Sequence, residues 1–218
     1  MMLADARLPT GAHTQSAGLE PALNAGMPVT AIPAYIRARL HSVTEVEAAT
    51  AVVARAECLS GAADLDARLR SVDRAFRVRT ISPALRETSA LLGRGYARLL
   101  RSLWPDSPIV AALHEFRAPC RPVALGAAAA LTGLGAGQLV RLIGYDDAQT
   151  IAAAALKLSA MDPLDATRWV LEAAPAIEAL ADRVADCTER SQIPAWGAPQ
   201  VEQWAQIHAI APMRLFRA

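Results

Sequence analysis

Apolar residues recur along this chain at intervals of three and four, the spacing of one face of an α-helix. Leu65, Leu69, Val72 and Phe76 form one stripe, and Leu92, Tyr96, Leu99 and Leu103 another, with Leu85 one heptad upstream. Ile36, Leu40, Val43 and Val46 open a third, which predicts one long helix running on through an alanine-rich stretch to about Leu59. No stretch sustains the alternation of valine, isoleucine and aromatic residues that marks a strand. Helix starts are legible too: Pro33 suits a first turn, while Ser82-Pro83 and Asp162-Pro163 read as caps followed by first-turn prolines. Breaks fall at Gly61, at 104–108, at 117–122, near Gly133 to Gly137 and at 192–199, and Pro175 either kinks a helix or begins one. The prediction is an all-α fold: a single-domain helical bundle of about eight to ten helices. It spans residues 1–218, with a loop-rich opening segment (1–16) and a last helix and tail (about 192–218) that look detachable.

Composition narrows the picture. A chain of 218 residues, 53% hydrophobic and 20% charged, can bury one sizeable core and does not read as disordered. A net charge of +1 offers no general attraction for nucleic acid or anionic lipid, so neither is expected as a partner. All but one of the 22 basic residues are arginine, and the exception is Lys157. Cys58, Cys120 and Cys187 are odd in number and far apart, with no Cys-x-x-Cys and no recognisable signal peptide, which fits packed thiols in a reducing, cytoplasmic setting. The uncharged run between Arg121 and Arg141 has the length of a membrane span. It is mostly alanine and glycine, however, and is read as a buried helix pair.

The signatures of familiar catalysts are missing from the sequence: there is no phosphate-binding Gly-x-x-x-x-Gly-Lys, no nucleophile elbow and no His-Glu-x-x-His. His13, His41, His114 and His208 stand alone, and Asp146-Asp147 reads as a loop-to-helix cap because Ala148 onward looks helical. Three stretches remain unusual for a plain bundle. The opening "RLPTGAHTQSAGLE" crowds turn formers and polar groups into a segment that normally frays. In "LRETSALLG", Arg86, Ser89 and Gly93 share one helical face, and the small residues there permit another backbone to come close. The ending sets Trp204, Ile207 and Phe216 beside Arg214 and Arg217, either as an element that docks on a partner or as a tail packed on its own core.

Taken together, these stretches resemble the UreF family of urease accessory proteins. Pro9, Gly11, Ser16, Gly18, Leu19 and Glu20 match the family's N-terminal signature, and Arg86, Ser89 and Gly93 its middle one. Pro122, Val123 and Gly126 match a Pro-Val-x-x-Gly element, and Pro199, His208, Arg214, Leu215 and Phe216 the ending. The departures are His13 for an aromatic, Gln15 for histidine or tryptophan, Cys120 where histidine is frequent, a different turn at 159–163, Glu202 for aspartate and Ala218 for serine.

The resemblance implies a non-enzymatic, dimeric, all-α assembly factor. It would bind the accessory scaffold protein UreD (UreH in some species) and the GTPase UreG, and help deliver nickel to apo-urease. Nickel would be handled transiently by the complex, with no cofactor held firmly by this chain. The residues that the resemblance nominates for partner contacts are Ser16, Gly18, Glu20, Arg86, Ser89, Gly93, Lys157, His208, Arg214, Leu215 and Phe216. His13, Cys120 and His208 are weak metal candidates. On this reading Ser16 caps the first helix and Glu20 lies on its exposed side. Lys157, alone in an apolar run, is either a switchable contact or a snorkelling surface lysine. Two other classes remain open: a helical metal enzyme, which needs His13, His41 or His114 to converge with carboxylates, and an apolar-ligand carrier, which needs a cavity of several hundred Å³.

Overall fold

Alanine and glycine set how closely the helices approach. In the computed structural model, which describes residues 8–9 and 11–216, the centre is helix α3 (Val43–Leu59). Its Ala48, Ala49, Ala51, Val52, Val53 and Ala54 are all essentially inaccessible, the all-round burial of a central helix. It follows α1 (Leu19–Asn24) and α2 (Ile32–Leu40), and α4 (Leu65–Arg79), α5 (Pro83–Leu103) and the short α6 (Pro108–His114) come next. The second half comprises α7 (Arg121–Thr132), α8 (Ala136–Leu158), α9 (Pro163–Glu172), α10 (Ala174–Val184) and α11 (Pro199–Ala209). Nine of these described helices have nine residues or more, no strand occurs among the described residues, and one apolar cluster reaches from Leu19 to Phe216.

α7 lies along α3, and Gly126 is where they touch most closely. A Cβ there would sit 2.4 Å from the Ala51 carbonyl oxygen and 2.7 Å from the Ala54 Cβ, so only glycine permits the spacing. α4, α8 and α2 surround α3, α5 covers the other side of α7, and α10 and α9 cover α8. α11 closes the bundle by packing on α5 and α1, where Gln206 Nε2 donates to Ser82 Oγ at 3.0 Å. The uncharged run after Arg121 is indeed a helix pair, split where Gly133 turns at φ +69°. No described helix is long and apolar enough to cross a membrane.

Most expected starts and stops hold. Ser82 Oγ accepts from the Leu85 amide and Asp162 from the Leu164 amide, and Pro175 falls in the first turn of a new helix. Two expectations fail. The long helix from Ile36 to Leu59 is broken at His41-Ser42, because Ser42 Oγ bonds back to the Ala38 carbonyl at 2.8 Å and takes the place of its own amide, which turns to Arg39 O. Asp146-Asp147 is no cap, since α8 runs unbroken through it.

Gly126→Ala should cost about 1–3 kcal/mol by forcing α3 and α7 apart. Gly133→Ala, with nothing near its missing Cβ, should meet only its left-handed backbone conformation. Denaturant midpoints followed by helical circular dichroism compare the two. Equal stability of Gly126→Ala and the unaltered chain would refute the close-approach account.

Candidate functional site

The opening segment is a built turn. Gly11 takes φ +88°, and Thr14 Oγ1 donates to its carbonyl at 2.8 Å. Ala17 and Gly18 are both left-handed, at φ 52° and 79°, and the Tyr35 hydroxyl from α2 pins the pair by donating to Ala17 O at 2.7 Å. A Cβ on Gly18 would lie 2.7 Å from that hydroxyl oxygen, so glycine is required twice over, by conformation and by space. Ser16 Oγ accepts from the Glu20 amide at 3.4 Å, although the residue at the helix boundary itself is Gly18. His13 is exposed on a 3-10 turn, and residues 1–7, 10, 217 and 218, Arg217 and Ala218 included, lie outside the described residues.

This turn aims α1 inward, which overturns the expectation that Glu20 is exposed: its relative exposure is 5%. A buried carboxylate needs donors. The tail supplies them, as the Leu215 amide donates to Glu20 Oε1 at 2.7 Å and the Phe216 amide to Oε2 at 2.9 Å. His208 on α11, also buried, places Nε2 at 3.1 Å from Phe216 O and 3.6 Å from Glu20 Oε2. Phe216 is buried with Lys157 Nζ from α8 at 5.2 Å over its ring, while Arg214 donates to the His208 and Ala209 carbonyls at the end of α11. Thus Ser16, Gly18, Glu20, Lys157, His208, Arg214, Leu215 and Phe216, scattered over the whole sequence, meet where the two ends of the chain join.

The middle signature holds a different joint. Ser89 Oγ accepts from the Arg121 amide at 3.0 Å, and a Cβ on Gly93 would fall 2.0 Å from Pro119 O, so this face of α5 receives the turn that starts α7. Arg86 donates to Thr80 O and Ile81 O, both at 2.7 Å, and fixes the link between α4 and α5. Cys120, in the same turn, is buried, and its amide donates to Asp73 Oδ1 at 2.7 Å. Burial first, and then the neighbouring Asp73 carboxylate, push its thiol well above the ordinary value, so the thiolate that a soft metal prefers is disfavoured.

Between the two joints lies a cavity of about 140 Å³, lined among others by Gln15, Gly18, Ser89, Arg121 and His208. Its wall includes two buried ionic groups, to which an apolar ligand offers no partner of its own. Arg39 donates to both oxygens of Asp147, at 3.0 and 2.6 Å, and Thr44 Oγ1 adds a third bond at 3.0 Å. Arg121 bridges Glu47 on α3, at 2.6 Å, and Asp146 on α8. Burial opposes the charge of each guanidinium, but the carboxylates outweigh it and hold both more firmly protonated than usual. Sequence reasoning missed these groups by reading the aspartates as a cap. The available signal was spacing, because Asp147 stands midway between Ile143 and Ile151 on one buried stripe. His13, Cys120 and His208 sit in three separate settings, and among the described residues no three His, Cys, Asp or Glu side chains gather as a metal site would require.

Comparison with known proteins adds to this geometry. The family model described as UreF matches residues 29–174. The urease accessory protein UreF of Mycobacterium sp. (strain JLS) is 36% identical over 192 residues, which are 85% of this chain and 84% of that protein. Its counterpart in Mycobacterium marinum is 37% identical over 168 residues, covering 76% and 74%. That of Mycobacterium tuberculosis H37Rv is 36% identical over 174 residues, covering 77% and 75%.

Asp147→Ala leaves the buried Arg39 unpaired and should cost about 3–5 kcal/mol in chemical denaturation. Glu178→Ala removes the exposed partner of Arg141 and should leave the midpoint unchanged. A second check concerns Cys120: iodoacetamide at about pH 8 should spare it in the folded chain and label it in guanidinium. Rapid labelling of the native thiol would contradict the burial described.

Proposed function

The chain belongs to the UreF family of urease accessory proteins, and on that premise we propose that it bridges the scaffold protein UreD/UreH and the GTPase UreG. The bridged complex promotes nickel insertion into apo-urease. The chain is an accessory protein, not an enzyme. Its contribution is a surface that holds other proteins in register while the metal passes between them. Homodimerisation, transient handling of nickel within the complex and a cytoplasmic setting are parts of the same proposal and derive from the family resemblance.

The observation that carries the reading is the junction of the chain ends. Eight of the residues that the resemblance nominates come from the two terminal signatures and α8, and they assemble there around Glu20 and Phe216. Beside them the tail presents Ile207, Ile210, Met213 and Leu215, which are 52–88% exposed. A run of exposed apolar side chains fixed on a rigid base is suited to binding another protein.

The test is urease activity and nickel content of the purified urease, in cells carrying the urease operon with and without this gene. The expected result is nickel-poor, inactive urease in the deletion, with partial recovery in excess nickel. Full activity and full nickel loading without the gene would overturn the proposal.

A further inference from the structure

Glu20 and Lys157 are two of the charged residues that the resemblance nominates for partner contacts, yet both close on the same dipeptide. Glu20 is 5% exposed, and its two oxygens accept the amides of Leu215 and Phe216 at 2.7 and 2.9 Å. Lys157 is exposed, but its ammonium lies 5.2 Å from the centroid of the buried Phe216 ring. The carboxylate is covered and accepts the tail amides, and the ammonium of the exposed lysine lies over the tail's buried ring.

We propose that Glu20 and Lys157 are positioning residues for the tail, acting on partners by fixing where Leu215–Phe216 sits and not by touching a partner themselves. The two contacts are complementary. Glu20 holds the main chain through charge-assisted bonds, which depend on direction, whereas Lys157 lies over the buried Phe216 ring in a cation–π contact, which does not depend on backbone register. Together they leave Leu215, 63% exposed, and Met213, 88% exposed, facing outward. Loosening either would enlarge the number of tail conformations, and a partner would then bear the cost of ordering them.

Hydrogen exchange on the full chain tests the tail directly. Glu20→Gln keeps the shape but replaces one acceptor by a donor, and should speed exchange at the Leu215 and Phe216 amides about tenfold or more, the equivalent of one charged hydrogen bond. Leu215→Pro, which leaves α1 untouched, should likewise free the Phe216 amide. Lys157→Met should speed exchange about two- to fivefold, while Lys157→Arg retains a cation over the ring and should stay near the unaltered chain. Exchange in α3 and α8 should not change. Unaltered protection of the tail amides in Glu20→Gln would overturn the inference.

A second arm measures capture of the purified UreG GTPase together with the scaffold protein, and it rests on the assembly-factor reading. Lys157→Met should weaken capture in the unaltered chain and have no further effect in a Phe216→Ala background. An undiminished loss in that background would mean that Lys157 touches the partner itself, and would overturn the inference. Failure of the unaltered chain to capture anything would instead sink the assembly-factor reading, and the exchange data would still decide the roles of Glu20 and Lys157.

Discussion

Arg121 is the point on which the bundle depends. Its amide is held by Ser89 of α5, and its guanidinium by Glu47 of α3 and Asp146 of α8, so one residue at the start of α7 joins four helices. That junction requires the turn before α7 to lie directly on α5, which Gly93 permits by having no side chain. On the opposite side of α7, Gly126 brings the same helix against α3. A bundle rich in alanine has little side-chain bulk to fix its helices in register. Directional, buried charge supplies what shape alone does not.

Glycine, serine and arginine therefore divide the work of specification. Glycine sets how near two backbones come, serine satisfies the amide that approaches, and arginine fixes the third direction. This explains why the middle signature has the spacing it has. Ser89 and Gly93 are one turn apart on α5, so they meet successive parts of the same incoming turn, while Arg86 secures the base of α5 from the preceding loop.

The sequence made much of this legible. Stripes at Leu65–Phe76 and Leu85–Leu103 correspond to α4 and α5, and a cap followed by proline marked the beginnings of α5 and α9. What remained hidden involved polar groups acting at long range. Ser42 ends α2 through a bond to its own preceding turn, which periodicity of apolar residues does not register. Asp146 and Asp147 look like cap residues because their arginine partners lie 25 and 108 positions away. The candidate site was legible as a set of residues but not as a place. That Glu20 and Phe216, 196 positions apart, come together follows from α11 packing on α1.

Glu20 recognises the tail by its main chain, and this has a consequence for how the tail can vary. Amides at positions 215 and 216 are common to every residue except proline, so the carboxylate is indifferent to most changes of spelling at Leu215. It is not indifferent to length. Five residues separate the end of α11 at Ala209 from Leu215, and they alone determine which two amides arrive at Glu20. An insertion or deletion in that short span would bring Phe216 out from under Lys157 even with every side chain preserved. The tail is thus a ruler as much as a motif, and its variation among related chains should run to substitutions and avoid changes of count.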